Sequence, residues 1–295
     1  MFDFRYHALS LAAVLFALTL GVLIGVAIGD SNLVSSAKNG IVHNLNSEVS
    51  EARTQIDGLQ DRLTQEQDFA NGIYPLAVHE LLNGRNIGVL FLGGASDQVN
   101  SLVRAAVTQA GGDLADVVAV REPLNLAGIA KEAAETRYEA LEGSTVLLER
   151  FGELIGRQLV SGGQSVEKEL ISRVRGSLLS AFDGQLTHLE GLVVMRTEPN
   201  APNATESEAD TLFETGLLKG VAAVGVTAVG VELSSTEPSQ IPWYKGRSLS
   251  SVDDLDAPAG QAALAYSLAG SKGSFGIKTT ADSLLPTVAA ATGSP

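Results

Sequence analysis

The sequence has no cysteine and only two methionines among its 295 residues. Disulfide bonds, thiolate metal sites and cysteine nucleophiles are therefore excluded, and soft metal ions find few of the sulfur ligands they prefer. Basic residues are also scarce, since 20 Lys and Arg face 34 Asp and Glu, which gives a net charge of −14. This balance argues against nucleic acid, whose phosphates need clustered basic side chains, and it weakens flat docking onto anionic lipid.

The common catalytic and nucleotide-binding motifs are absent as well. The chain contains no GxSxG, HExxH or GxxxxGK(S/T) pattern. A Gly93-Gly94 turn follows an apolar run and precedes a helical pattern, as a phosphate-binding turn does. Its GGASDQ sequence lacks the GxGxxG spacing, however, and places Asp97 beside any anion. We therefore predict no enzyme activity and no bound cofactor.

A few acidic and histidine side chains remain as candidate metal or catalytic groups. They are Asp253 and Asp254, Glu167 and Glu169, and His79 with Glu80. On so acidic a chain we expect the aspartates and glutamates to lie on solvated faces. Adjacent residues of a helix point about 100° apart, so the His-Glu pair would need a second chain to hold a divalent metal.

The most distinctive segment is an apolar run near the N-terminus. The 21 residues from Ala8 to Ile28 carry no charge. As a helix they would be about 31 Å long, which matches a hydrocarbon core of about 30 Å. We predict a single-pass membrane anchor over residues 1–30. Arg5 precedes the run and Asp30 is the first charge after it, so the positive-inside rule places the N-terminus in the cytoplasm and the bulk of the chain outside it.

Two other readings of this segment stay open: a core helix of a soluble protein, and a cleaved signal peptide with Ala27 and Gly29 before the cut. Signal peptides have apolar runs of only about 7–15 residues, so the anchor is favoured. Gly21, Gly25 and Gly29 share one helix face. This spacing suits close packing of two membrane helices, although glycine is common in membrane helices in general.

Beyond the membrane segment, residues 31–75 show a heptad pattern typical of a coiled coil. The predicted seam consists of Val42, Leu45, Val49, Ala52, Ile56, Leu59 and Leu63. Branched residues at the first heptad position and leucines at the fourth favour a parallel dimer, so we expect a homodimeric stalk. The alternative is one amphipathic helix that folds back onto the globular domain.

The remainder, residues 84–287, predicts a three-layer α/β domain with a mostly parallel sheet, because short apolar runs alternate with helical patterns. The predicted strands cover 86–92, 114–120, 192–195, 221–231 and 275–277. The predicted helices cover 97–110, 126–141, 147–159, 166–181, 206–218 and 261–269. Residues 198–205 and 236–256 are expected to be loops, and 288–295 a disordered tail.

Both ends of the chain resemble one known family. FRYHALSLAAVLFALTLGVLIG at the N-terminus and PAGQAALAYSLAGSKGSFGIKTTADSLLP near the C-terminus are similar to the corresponding segments of the MctB family. The resemblance extends to the layout of helix, coiled coil and α/β domain. It implies an actinobacterial envelope protein of copper transport and copper homeostasis, a family in which some members are described as channel-forming in the outer membrane.

The residues themselves bear on only part of that implication. The predicted strands are continuous apolar runs, as in a buried parallel sheet, and a lone membrane helix cannot enclose a pore unless several chains assemble. Copper(I) prefers sulfur ligands, and apart from the initiator the only one is Met195. Copper thus remains a ligand by resemblance, with no identifiable ligand residues. The alternative function is a non-catalytic dimeric scaffold for cell-division or cell-wall-remodelling partners in the envelope.

Overall fold

We analysed a computed structural model of the chain, which describes residues 4–29, 31–162, 168–197 and 204–287. The chain divides into two compact units, Met1–Gln67 and Asp68–Pro295. The predicted tail over 288–295 lies outside the described residues.

The first helix, α1, covers Phe4–Ile28. Its segment Arg5–Ile28 has a mean hydropathy of 2.7 and is exposed throughout, so its length and composition suffice to cross a membrane. The hydroxyl of Thr19 donates to the carbonyl oxygens of Leu15 and Phe16 at 3.0 and 2.9 Å. This polar side chain is therefore satisfied within its own helix, as an apolar surrounding requires.

The second helix, α2, covers Ser31–Ala77 and is 47 residues long. It contains the whole predicted seam and starts well before the first heptad residue. The seam side chains are exposed in the single chain; Leu59, for example, is 63% exposed and Val49 43%. A coiled coil would bury them against a second chain, and this association stays a prediction.

The second unit is built on a seven-stranded sheet. Its strands are β1 (Asn86–Leu92), β2 (Asp113–Val120), β3 (Leu179–Asp183), β4 (Gly191–Arg196), β5 (Thr227–Val231), β6 (Ser250–Val252) and β7 (Ser274–Phe275). Their order is β3-β2-β1-β4-β5-β6-β7. Every neighbouring pair is parallel except β2 and β3. The predicted α/β class with a mostly parallel sheet is confirmed.

Helices cover both faces of the sheet. They are α3 (Asp97–Gln109), α4 (Leu126–Glu132), α5 (Thr145–Ser161), α6 (Lys168–Leu178), α7 (Ala204–Val224), α8 (Ile241–Lys245) and α9 (Pro258–Leu268). On one face, Phe151 of α5 and Phe213 of α7 pack over β1 and β4. On the other, Val103 of α3 and Leu264 of α9 pack over the same strands. The central strands are buried on both sides, which explains their continuous apolar runs.

Two predicted helices are shorter than expected. The helix predicted over 126–141 ends at Glu132, and a separate 3₁₀ segment covers Arg137–Gly143. The helix predicted over 166–181 ends at Leu178, because the chain then extends as the antiparallel edge strand β3.

The boundaries of two later segments were also wrong. The strand predicted over 221–231 begins only at Thr227, because Val221–Val224 complete α7 and Gly225 turns the chain with φ +84°. The loop predicted over 236–256 contains α8 and β6. Apolar valine and alanine runs suit either element, and only tertiary pairing separates them.

The α5–α7 pair depends on glycines at four-residue spacing on both helices. A Cβ at Gly152 or Gly156 would come within 2.4 or 2.0 Å of an α7 carbonyl oxygen. A Cβ at Gly216 or Gly220 would come within 2.0 or 2.1 Å of an α5 carbonyl oxygen. The two backbones therefore touch directly, and this contact fixes the position of the α7 side chains that point toward the sheet edge.

Candidate functional site

The candidate site lies where the chain reverses direction across the sheet. From the interior strand β1 the connection runs to β2 on one side, while β4 lies on the other. Ligands of open α/β sheets bind at such a switch point, outside the carboxyl ends of the strands. Gly93 follows β1 with φ +102°, and a Cβ there would come 3.5 Å from Oε2 of Glu122 and 3.4 Å from Cβ of Thr197.

A buried arginine organises this edge. Arg196 ends β4 and is only 9% exposed. Its Nε donates to Oε1 of the fully buried Glu214 at 2.7 Å, and its Nη1 donates to Oε1 of Gln240 at 2.7 Å. Its guanidinium carbon also lies 4.8 Å from the ring centre of Trp243. This arrangement is a charge-assisted hydrogen-bond network with little access to solvent.

The same edge is held in place by Tyr244 of α8. Its hydroxyl accepts from the backbone N of Arg196 at 2.9 Å and donates to the carbonyl of Val231 at 3.0 Å. Gly230 leaves room for the ring, because a Cβ there would come 2.4 Å from it. Burial raises the pKa of Tyr244, so the hydroxyl keeps the proton that its hydrogen bond to Val231 needs.

Three carboxyl groups, those of Glu122, Asp210 and Glu214, lie near this guanidinium, and Arg247 adds a second positive charge near Glu214. Burial, together with the neighbouring Glu214 and Asp210, raises the pKa of Glu122 to about 9. Burial also raises the pKa of both Asp210 and Glu214. Within the described part of the chain, no N–H reaches either carboxyl oxygen of Glu122 or Oε2 of Glu214. A carboxyl proton is thus the donor available between these two groups, and Glu122 is protonated at neutral pH.

Chemically, this edge can hold a proton on a buried carboxyl and present it as a hydrogen-bond donor beside Gly93. Asp210 also holds the chain after β2 in place, because its Oδ1 accepts a hydrogen bond from the backbone N of Leu124 at 2.9 Å. Over the described ranges, no three His, Asp or Glu side chains are placed to hold a metal ion.

The neighbouring strands β5 and β6 are each followed by acidic residues. Glu232 accepts from Nζ of Lys278 at 2.6 Å, and Asp253 accepts from the backbone N of Ile277 at 2.8 Å. Asp254 is fully buried, and no described residue gives either of its carboxyl oxygens a hydrogen bond. Burial, together with the charges of Asp253 and Asp256, raises its pKa to about 6.

The expectation that Asp253 and Asp254 form a solvated face was therefore wrong. They follow a buried strand, and the segment after β7 and the start of α9 cover them. Of the other acidic pair, Glu169 is exposed and Glu167 lies outside the described residues. His79 and Glu80 are both exposed, at the end of α2.

The residues predicted for helix association are placed as expected along their helices but meet no partner helix in the single chain. A Cβ at Gly21 or Gly25 has no atom within 4 Å, and one at Gly29 meets only oxygens of its own helix. Their packing role stays a prediction, as does that of the α2 seam.

Sequence reasoning missed the residues that meet at the switch point: Glu122, Arg196, Asp210 and Glu214. A signal for two of them was present, because a charged residue closes β4 and another follows β2. The carboxyl ends of parallel strands meet at one edge. The two α7 residues had no comparable signal, because their orientation depends on the contact with α5.

Together, an apolar helix of membrane-spanning length, a long second helix and a doubly covered parallel sheet define a membrane-associated α/β protein. The family described as copper transport outer membrane protein, MctB, matches residues 1–286. The chain therefore belongs to this family. Proteins named copper transporter MctB from Mycobacterium bovis and Mycobacterium tuberculosis are each 25% identical to it over 286 residues, which cover 93% of this chain and 80% of the relative.

Proposed function

We propose that this chain is a membrane-anchored envelope protein that acts in copper transport and copper homeostasis. The observation that carries the proposal is the family match over residues 1–286, which includes the apolar helix and the whole α/β domain. The mycobacterial relatives are named copper transporters. The role proposed here is non-catalytic: among the described residues, the switch-point cluster offers the protonated carboxyl of Glu122 and no activated nucleophile.

The proposed orientation places the N-terminus in the cytoplasm and the α/β domain outside it. Arg5 precedes the span and Asp30 is the first charged residue after it. Positive charge close to a membrane segment is retained on the cytoplasmic side.

The proposed role in copper handling is indirect, in the sense that one chain alone does not bind copper tightly. Met195 is the only sulfur ligand among the described residues, and it lies partly buried on β4. The four histidines, at positions 7, 43, 79 and 188, are far apart in sequence, and all four are exposed. Since copper(I) is held by sulfur and imidazole ligands, tight binding would need ligands from another copy or another protein.

The test is deletion of the gene in its host, followed by growth on increasing copper and by mass-spectrometric measurement of cell-associated copper. We expect the deletion to change both, and the wild-type chain to restore them. A Met195→Leu variant should restore them equally well. Unchanged copper tolerance and copper content in the deletion strain would contradict the copper role.

A second candidate is a dimeric scaffold for cell-division or cell-wall-remodelling proteins. The observation that favours it is the exposed apolar seam of α2. Proximity labelling from the α/β domain in cells should then enrich septal or wall-synthesis proteins over a control in which the same label is fused to α1 alone. Equal labelling by both fusions would count against the scaffold.

A further inference from the structure

An apolar cavity, separate from the switch point, lies between the edge strand β3 and the helices α5 and α6. Its volume is ≈ 40 Å³. The inner wall consists of buried aliphatic side chains: Leu90, Val118, Val120, Leu159 and Leu217. Gln158 also lines the cavity, but its Oε1 is buried, so the surface that an occupant meets inside is apolar.

The mouth of the cavity is formed by side chains that are only partly buried. They are Ile171 of α6, Leu179 and Phe182 of β3, and Leu186. Because these side chains keep some exposure while the inner wall is buried, the cavity opens to the surface between α6 and β3.

The packing of α5 explains why the space is not filled. This helix contributes Ile155 and Leu159 to the wall of the cavity. Gly152 and Gly156 bring the same helix into direct contact with the backbone of α7. A helix held by such a contact cannot shift freely toward a neighbouring void, so the cavity persists within an otherwise close-packed core.

A cationic side chain, Arg175 of α6, lies at the mouth. It is exposed and lines the cavity, and its guanidinium carbon lies 3.8 Å from the ring centre of Phe182. This stacking holds the guanidinium across the opening. Within the described part of the chain Arg175 forms no ion pair. A guanidinium that stacks through its face keeps the N–H groups of its edge available to an anion.

We infer that this cavity binds a short aliphatic carboxylate, with the hydrocarbon tail inside and the carboxylate on Arg175. The planar guanidinium matches a carboxylate through two parallel hydrogen bonds, and the aliphatic wall takes the tail out of water. A water-sized sphere needs about 10–15 Å³, so the cavity holds about three or four carbon atoms. One or two further carbons span the mouth, which makes hexanoate the chain length that fits.

The test is calorimetric titration of the full chain in phosphatidylcholine nanodiscs, with the heats of empty nanodiscs subtracted. The probes are acetate, butyrate, hexanoate and octanoate. We expect the affinity to rise about fourfold with each methylene group up to hexanoate and to level off at octanoate, because the cavity is then full. The uncharged 1-hexanol should bind at least tenfold more weakly than hexanoate.

No binding of any carboxylate would overturn the inference. Equal affinities for hexanoate and 1-hexanol would overturn it as well, since the cavity would then select only for apolar volume.

The matched variants are Arg175→Gln at the mouth and Arg104→Gln on α3, which are both exposed arginines. Arg175→Gln should weaken hexanoate binding about tenfold, while Arg104→Gln should leave it unchanged. Ile171→Phe, which narrows the mouth, should weaken hexanoate binding at least tenfold at an unchanged unfolding midpoint. Equal hexanoate affinities of the two arginine variants would refute the role of Arg175, and undiminished binding by Ile171→Phe would refute the cavity as the site.

Discussion

A methyl group on Gly156 would lie 2.0 Å from the carbonyl oxygen of Leu217. No rotamer change can relieve this overlap, because the obstructing atom belongs to the backbone of α7. Glu214 is on the same helix as Leu217, so this contact also sets how α7 presents its carboxyl to Arg196.

Gly156→Ala should therefore push the two helices apart and lower the free energy of unfolding by about 2–3 kcal/mol, the upper range for overpacked cores. Denaturant unfolding of a fragment with residues 31–295 measures this loss. The matched control is Gly176→Ala on α6, where a Cβ meets nothing closer than 4.0 Å. That change should stabilise the domain by up to about 1 kcal/mol, since alanine favours helix over glycine. Equal effects of both substitutions would contradict the close contact.

The protonated carboxyl of Glu122 predicts a pH dependence of stability. The folded-state pKa is about 9, against an ordinary value of 4.5. Between these values the folded chain holds a proton that the unfolded chain has released. The stabilisation from this group is thus fully present below about pH 4 and is lost as the pH rises toward 9.

Glu122→Gln retains the shape of the neutral acid and cannot lose the proton. Its unfolding midpoint should fall less than that of the wild type between about pH 6 and about pH 9. The exposed Glu142→Gln serves as the control and should follow the wild type. Parallel midpoint curves for Glu122→Gln and the wild type would show that this carboxyl titrates normally.

The ion pair between Glu232 and Lys278 is almost fully buried, with side chains 1% and 15% exposed. Lys278→Met should cost about 3–5 kcal/mol, because it leaves a buried carboxylate without its cation. The double variant Glu232→Gln/Lys278→Met should recover most of that loss in denaturant unfolding.

The comparison for this pair is Lys245→Met, which breaks the exposed pair with Asp282. Surface pairs contribute about 0–1 kcal/mol, so its effect should be small. If Lys278→Met lowers the free energy of unfolding by an equally small amount, water reaches Glu232 and the ion pair does not stabilise the fold.

The α2 seam predicts a dimer of the fragment with residues 31–295. Replacing Ile56 and Leu63 by Lys should give a monomer in sedimentation velocity, because two charges per chain would face each other in the seam. Replacing Thr54 and Thr64 by Lys, outside the seam, should leave the dimer intact. A wild-type fragment that sediments as a monomer would refute the stalk dimer.

The sequence predicted the elements whose pattern is local. The helix over Phe4–Ile28 follows from an uninterrupted apolar run, and β1 follows from an apolar heptapeptide before a glycine turn. The pairing of strands that are distant in sequence was harder to predict. Leu179–Asp183 forms a strand only because β2 lies beside it, and nothing in its own residues distinguishes it from the end of a helix.

The α5–α7 contact shows a second limit of prediction from the sequence. The G-x-x-x-G spacing predicts close helix packing in the apolar helix at Gly21 and Gly25, and the same spacing occurs at Gly152–Gly156 and Gly216–Gly220, where the two helices do touch. In a water-soluble domain this spacing is usually read as weak helix propensity. Two such motifs in different helices become informative when they are considered as a pair.

The place of β1 in the sheet has a consequence for synthesis. It is the first strand in the chain but an interior strand of the sheet, between β2 and β4, and Asn86 finds its hydrogen-bond partner Glu190 only 104 residues later. Until β4 is made, the nascent half-domain carries the open edge of its most apolar strand. Such an edge recruits foreign strands, so this protein is most vulnerable to aggregation midway through its own translation, and a pause before β4 would prolong that exposure.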